Sequence, residues 1–206
     1  MRRLSPARDM DVWILLLCAG PAPRAPFLKQ LVRRQRGLKA QLVRQLDGHT
    51  FCRLKTDTRK LLARSVPAVL ADVSAKALRR TAAEAWRGLL DKVRKRGRGL
   101  TLDHAEAAHR LRIACRRARY LAEFFALVPA PATTQRDWIR TANRYRAVQD
   151  ALGVIHDLDT LCAFVRRQRI PLPARFAADL PRRRAKSQRD FRRAWRRLDK
   201  VRAAFV

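Results

Sequence analysis

The sequence predicts an all-α fold, and three observations carry that prediction. Sustained apolar–polar alternation is absent and β-branched residues are sparse, so strand signals are missing. Ala, Leu and Arg, which are strong helix formers, dominate the chain. Pro and Gly punctuate it at intervals that leave helix-length stretches between them. About eight helices are expected, and short loops between them make neighbours antiparallel bundle partners.

Taken in order, the first helix holds the apolar run 12–19 and is ended by Pro21, Pro23 and Pro26. Gly48 ends a second helix, and Pro67 should interrupt the chain near residues 65–70. A long helix from about Asp72 is closed by Gly97 and Gly99. The segment His109–Phe125 is helical and stops before Pro129 and Pro131. Pro171 and Pro173 precede the last helix, which Pro181 should kink or restart. N-caps are expected at Asp103 and at Thr133 or Thr134, whose side-chain oxygens can accept from free amides of a first turn. No Gly/Ser-rich linker divides the chain, so 1–206 reads as one domain.

The charge balance narrows the function classes. The chain carries 48 Lys and Arg against 17 Asp and Glu, a formal +31, while 48% of it is hydrophobic. Such hydrophobicity excludes a disordered basic tail. Self-repulsion at this charge destabilises a compact state unless bound anions neutralise it, so a polyanionic partner is expected. Arg outnumbers Lys 39 to 9, and its planar fork of donors suits phosphate oxygens.

The four cysteines, Cys18, Cys52, Cys115 and Cys162, are scattered, with no C-x-x-C and no Cys/His cluster. Reduced thiols in a cytoplasm are expected, with no metal site and no cofactor. Cys115 reads as a buried structural residue.

The opening "MRRLSPARDMDVWILLLCAG" has the outline of an export signal, but Asp9 and Asp11 directly precede its short apolar run. An internal repeat explains the segment better. "LSPARDMDVWILL" (4–16) aligns with "LGVIHDLDTLCAF" (152–164), matching Arg8 to His156, Asp9 to Asp157 and Asp11 to Asp159. The run from Val12 is then the counterpart of Thr160–Phe164, a helix that faces a core.

The stretch "HRLRIACRRARYLAEFF" (109–125) places a histidine and a run of arginines before its first acid, Glu123. At about 100° per residue, Arg112, Arg116 and Arg119 fall within roughly 80° of His109, with Tyr120 and Glu123 in the same sector. Leu111, Ala114, Ala118, Leu121, Ala122 and Phe125 take the opposite side and face a core. Arg110 and Arg117 point to solvent. Cations stacked at i, i+3 or i+4 repel by a few tenths of a kcal/mol per pair, which makes the stripe wasteful unless an anion bridges it. The alternative is neutralisation by acids such as Asp150, Asp157 and Asp159. With an anion bound, Asp157 and His156 would orient the binding groups. His109 has no nucleophile or metal partner at useful spacing, and His104 lies off the stripe. In the last helix Arg182, Arg189, Arg193 and Arg196 recur at helical spacing and are a second choice for the lining.

The sequence H-x-x-R-x-x-x-[KR]-x-x-R-Y, met by His109, Arg112, Arg116, Arg119 and Tyr120, resembles the signature of the CHAD domain family, the conserved histidine α-helical domain. The following L-G-x-x-[NH]-D step is met by Leu152, Gly153, His156 and Asp157. The resemblance implies two related helical bundles around a basic channel that binds inorganic polyphosphate. In the family a similar histidine–arginine helix opens the first half; here "LSPARDMDV" begins at Leu4, and Ser5 replaces the usual glycine. An incomplete first bundle (1–100), lacking its opening helix, and a complete second bundle (101–206) are therefore expected. Exposed apolar surface on the first bundle would leave room for a homodimer.

The expected function is non-catalytic binding of polyphosphate by His109, Arg112, Arg116, Arg119, Tyr120 and Arg8, in the cytoplasm and in association with polyphosphate granules. A basic helical nucleic-acid binder is the alternative, and weak nucleic-acid binding fits the same charge. Against it, zinc-finger, bZIP and RNP-type signals are missing, and the four tryptophans are not clustered as a stacking platform. A triphosphatase would need clustered carboxylates for a metal; the acids are few and dispersed. No membrane association is expected.

Overall fold

A computed structural model describes residues 5–18, 26–71, 74–128, 131–169, 172 and 174–199. Among these it has seven helices and no strand: α1 (Ser5–Cys18), α2 (Pro26–Leu46), α3 (His49–Ala71), α4 (Ala75–Gly97), α5 (Ala105–Leu127), α6 (Ala132–Arg167) and α7 (Ala174–Asp199). The all-α fold holds. The chain divides into two compact units, one made of residues 1–78 and 168–176, the other of 79–167 and 177–206.

In the first unit, α1 buries Ala7, Met10, Trp13 and Leu17, spaced so that one face meets α2, which buries Leu31. Asp11 ties the two helices together. Its carboxylate accepts from the Gln35 side-chain amide and pairs with Lys39 Nζ at 2.9 Å. These contacts hold the Asp11 carboxyl below the ordinary carboxylate value, the Lys39 bond first and the Gln35 bond second. Val43 and Leu46 of α2 and Leu54, Leu61 and Leu62 of α3 are exposed.

The internal repeat is visible in burial. Ala7, Met10, Trp13 and Leu17 correspond, position by position, to Ile155, Leu158, Leu161 and Val165 of α6, and all eight are buried. The second aspartate of each copy also does the same work. Asp11 crosslinks α1 to α2, and Asp159 receives Arg184 of α7. Val12 to Cys18 is thus part of an amphipathic helix packed on a neighbour, as the repeat predicts.

The second unit has the larger core. Leu111, Ala114, Cys115 and Ala118 of α5 meet Tyr145, Val148, Leu152 and Ile155 of α6, with Trp86 and Val93 of α4 and Phe191, Ala194 and Leu198 of α7 in the same cluster. Full burial of Leu111, Leu152 and Ile155 stabilises by about 1.5–3 kcal/mol per side chain. Small residues on α5 (Ala114, Ala118, Ala122) let α6 approach closely, and α5–α6 is the most extensive helix pair among the described residues. The pair is antiparallel: His109 meets His156, while Glu123 meets Arg146. Trp86 stands edge-on to both Trp138 (5.0 Å) and Tyr145 (6.0 Å). With Trp13 of α1, three of the four tryptophans are buried.

Helix α7 also runs antiparallel to α6, since Arg184 reaches Asp159 and Ser187 Oγ donates to the Ala151 carbonyl at 2.7 Å. Arg184 further donates to the Leu102 carbonyl at 3.2 Å and lies 3.7 Å from Asp103, pinning the α4–α5 loop.

Four local expectations are corrected. Helix α3 continues through Pro67 to Ala71, because one proline removes a single backbone bond and the rest of the ladder persists. Helix α7 continues through Pro181; the Ala177 carbonyl left without its amide is on an exposed residue, where water can serve it. Asp103 is not an N-cap, since His104 takes that position without a side-chain bond and Asp103 faces Arg184. Thr133 and Thr134 lie inside the first turn of α6, whose first described bond runs from the Gln135 amide to the Pro131 carbonyl. The expected helix start at Asp72 falls outside the described residues; Ser74 Oγ accepts from the Ala77 amide just before α4.

Candidate functional site

Helix α5 has the two faces its sequence requires. Ala108, Leu111, Ala114, Cys115, Ala118 and Ala122 are buried, while Arg110 and Arg117 are exposed. Between these faces lies the stripe: His109, Arg112 and Arg119 half-buried, Arg116 and Tyr120 exposed. Burial pushes the Cys115 thiol up to about 12, so it is an inert packing residue.

The stripe borders one edge of α6. His156, Gln149, Gly153 and Arg146 fall within about 80° of one another on that helix. The His109 and His156 rings are 5.0 Å apart between centroids and tilted by 35°. Nδ1 of His109 is shielded from solvent and has no hydrogen-bond partner, and the same holds for Gln149 Oε1. A methyl group placed on Gly153 would meet nothing within 4 Å, so there is open space beside Gly153, on the side of α6 that carries His156 and Gln149. Shielded polar atoms of this kind are served by water or by a bound ligand.

Electrostatics sharpen this. His109 is held below its ordinary value of 6.5, first by burial, then by the Arg112 and Arg116 charges, with Glu106 acting weakly the other way. Glu123, on the same helix, meets the stripe, and Asp159 is engaged by Arg184 of α7. Glu123 accepts from Arg146 at 2.9 Å and lies 3.6 Å from Arg119 Nε. The Arg119 guanidinium also sits 4.6 Å from the centre of the Tyr120 ring, a contact that holds its plane in place. One carboxylate, Glu123, thus serves two arginines, Arg119 and Arg146.

Asp157 lies half-buried next to His156 on α6. Arg8 is on α1 in the other unit, 3.3 Å from Asp9. Arg182, Arg189, Arg193 and Arg196 do form one stripe, but on the exposed side of α7, opposite the buried Ser187, Phe191, Ala194 and Leu198. Arg193 lines a groove of about 320 Å³ with Asn143 and Arg144 of α6, and Arg196 lines another of about 470 Å³ beside Gly97 and Trp195. Neither groove includes a residue of the α5 stripe.

Glu123's double pairing, the space over Gly153 and the anchoring of Arg184 were not foreseen. The L-G-x-x-H-D spacing held the signal for Gly153, since it sets a side-chain-free position three residues before His156. Among the described residues, no three His, Cys, Asp or Glu side chains group in a way that could hold a metal ion. No described helix is long and apolar enough to cross a membrane.

No match was found among curated proteins or among solved structures. The family model of the CHAD domain matches residues 1–166, a span that takes in the repeat, the α5 stripe and the His156 step of α6. On that match the chain belongs to the CHAD domain family.

Proposed function

We propose that the protein binds inorganic polyphosphate without catalysing its turnover, and that the α5 stripe, beside the Gly153–His156 edge of α6, grips the chain. The observation that carries this reading is the half-buried row of His109, Arg112 and Arg119 beside exposed Arg116, four cationic or protonatable groups on one face of a single helix. Charge-assisted bonds from Arg forks to phosphate oxygens contribute about 1.5–3 kcal/mol each. A linear anion with one charge per phosphate takes several such bonds in succession and needs no base-reading group. Membership in a family associated with polyphosphate supports the same partner. Asp157 and His156 act here as orienting groups behind the arginines. The setting that follows is the cytoplasm, at polyphosphate granules, and the apolar side chains exposed on α2 and α3 leave a homodimer open to test.

The test is competition. Labelled polyphosphate bound to the full chain is displaced by unlabelled polyphosphate or by single-stranded DNA at matched phosphate, beside the variant Arg112, Arg116, Arg119→Ala. Preference for polyphosphate that disappears in the variant supports the proposal. Equal displacement by DNA, with the variant unchanged, would mean that the charge acts generically. Phosphate release from triphosphate with added divalent metal would overturn the non-catalytic part.

A further inference from the structure

A second concave surface lies where the end of α4 meets α7, and its chemistry differs from that of the α5 stripe. Phe191 and Trp195 stack with ring centres 6.0 Å apart and planes within 21°. Phe191 is buried, so Trp195 is the outer member of the pair and is only partly covered. The indole is fixed by an unusually close neighbour. A methyl group at Gly97 would lie 2.0 Å from Cη2 of Trp195 and 2.1 Å from Cζ2, so the ring edge occupies the place of a side chain. With Leu100, these residues line a groove of about 470 Å³.

Arg192 and Arg196 form its rim on α7, and both are exposed. At about 100° per residue they lie on the same side of Trp195, about 60° and 100° away. Arg196 Nε donates to the Arg192 carbonyl at 3.4 Å. Among the described residues, neither guanidinium pairs with a carboxylate. An aromatic wall fixed by a glycine, next to two unneutralised guanidiniums, suits a ligand that is planar at one end and anionic at the other. Bare polyphosphate offers nothing planar, and a groove for it would need no indole.

We propose that this groove binds a nucleotide unit, with the base against Trp195 and its phosphate between Arg192 and Arg196. Base–aromatic stacking is sequence-tolerant and its magnitude suffices to govern binding, and the volume falls in the range of small-ligand sites. The unit can come from a free nucleotide or from a single-stranded nucleic acid, and the ligands below separate the two. The site is independent of the α5 stripe, so it stands or falls apart from polyphosphate binding.

The experiment measures binding of AMP, ribose 5-phosphate and a short oligoadenylate to the full chain by calorimetry. AMP should bind roughly tenfold or more tightly than ribose 5-phosphate, since only AMP has a base to stack. Arg192→Gln with Arg196→Gln, both exposed positions, should weaken AMP by a similar factor, and the α5 triple variant should leave it unchanged. AMP should also quench tryptophan emission, and Trp195→Phe should remove that quenching. If the oligoadenylate binds tenfold more tightly than AMP with the same dependence on Arg192 and Arg196, the ligand is a nucleic-acid strand; if it does not, a free nucleotide. The proposal is overturned by equal binding of ribose 5-phosphate and AMP, by no binding of AMP or oligoadenylate, or by AMP binding that depends on Arg112, Arg116 and Arg119 and not on Arg192 and Arg196.

Discussion

His109 and His156 meet across the α5–α6 pair with their ring centres 5.0 Å apart, and Nδ1 of His109 is shielded there without a hydrogen-bond partner. If the stripe holds polyphosphate as proposed, protonation and anion binding are coupled at this end of it. Burial, Arg112 and Arg116 hold the His109 pKa below 6.5. The unfolded chain therefore takes up the proton first as pH falls. The stabilisation from a neutral His109 is complete above 6.5 and is lost as pH falls through the folded pKa. A bound phosphate opposes the arginine charges and raises that pKa, so polyanion affinity should increase as pH is lowered from about 8 to 5. A series of binding curves over pH checks this, and His109→Gln should flatten the dependence.

The arginine stripe makes a prediction about salt. Each phosphate contact on a flexible single chain releases counterions worth about 0.7 in the slope of log affinity against log salt. Replacing Arg112, Arg116 and Arg119 by Ala should reduce that slope by roughly 2. An unchanged slope would show that phosphates bind elsewhere on the chain.

Gly153 separates binding from stability. Alanine at this position meets nothing within 4 Å and restricts the unfolded backbone, so stability should rise by about 0.5–1 kcal/mol. A longer side chain, as in Gly153→Met, would fill the space beside His156 and lower polyphosphate affinity with no loss of melting temperature. Parallel thermal melts and titrations read both effects.

Arg184 and Ser187 hold α7 in place. Arg184→Met removes bonds to Asp159 and the Leu102 carbonyl and should destabilise by about 1.5–3 kcal/mol, the range for bonds to charged groups. Ser187→Ala loses one neutral bond to the Ala151 carbonyl and should cost about 1 kcal/mol. Urea midpoints at constant slope would confirm that the effect is on stability alone.

Much of this was legible in the sequence because it depends on local periodicity. The division of α5 into a buried face and a cationic stripe follows from the 3.6-residue repeat, and the copy of Asp11 in Asp159 follows from alignment alone. Pairings across distance were not legible. Nothing near His109 in sequence indicates His156, and the order in which Glu123 meets Arg119 and Arg146 depends on the register of two helices. Periodicity puts the arginines of α7 on one stripe, but it does not say which way a stripe faces. Packing decided that, through Ser187, Phe191, Ala194 and Leu198. Pro67 and Pro181 misled because proline disfavours a helix locally, while the turns on either side can carry the helix through.

The contact of Trp195 with Gly97 binds the histories of two distant positions. With Cη2 only 2.0 Å from where a Cβ would be, a side chain at 97 forces the indole to move, and overpacking of this kind costs about 1–3 kcal/mol. In a randomised library selected for folding, residues other than Gly at 97 should appear only with a smaller side chain at 195. Such a substitution would repair the packing and erase the aromatic wall in the same step.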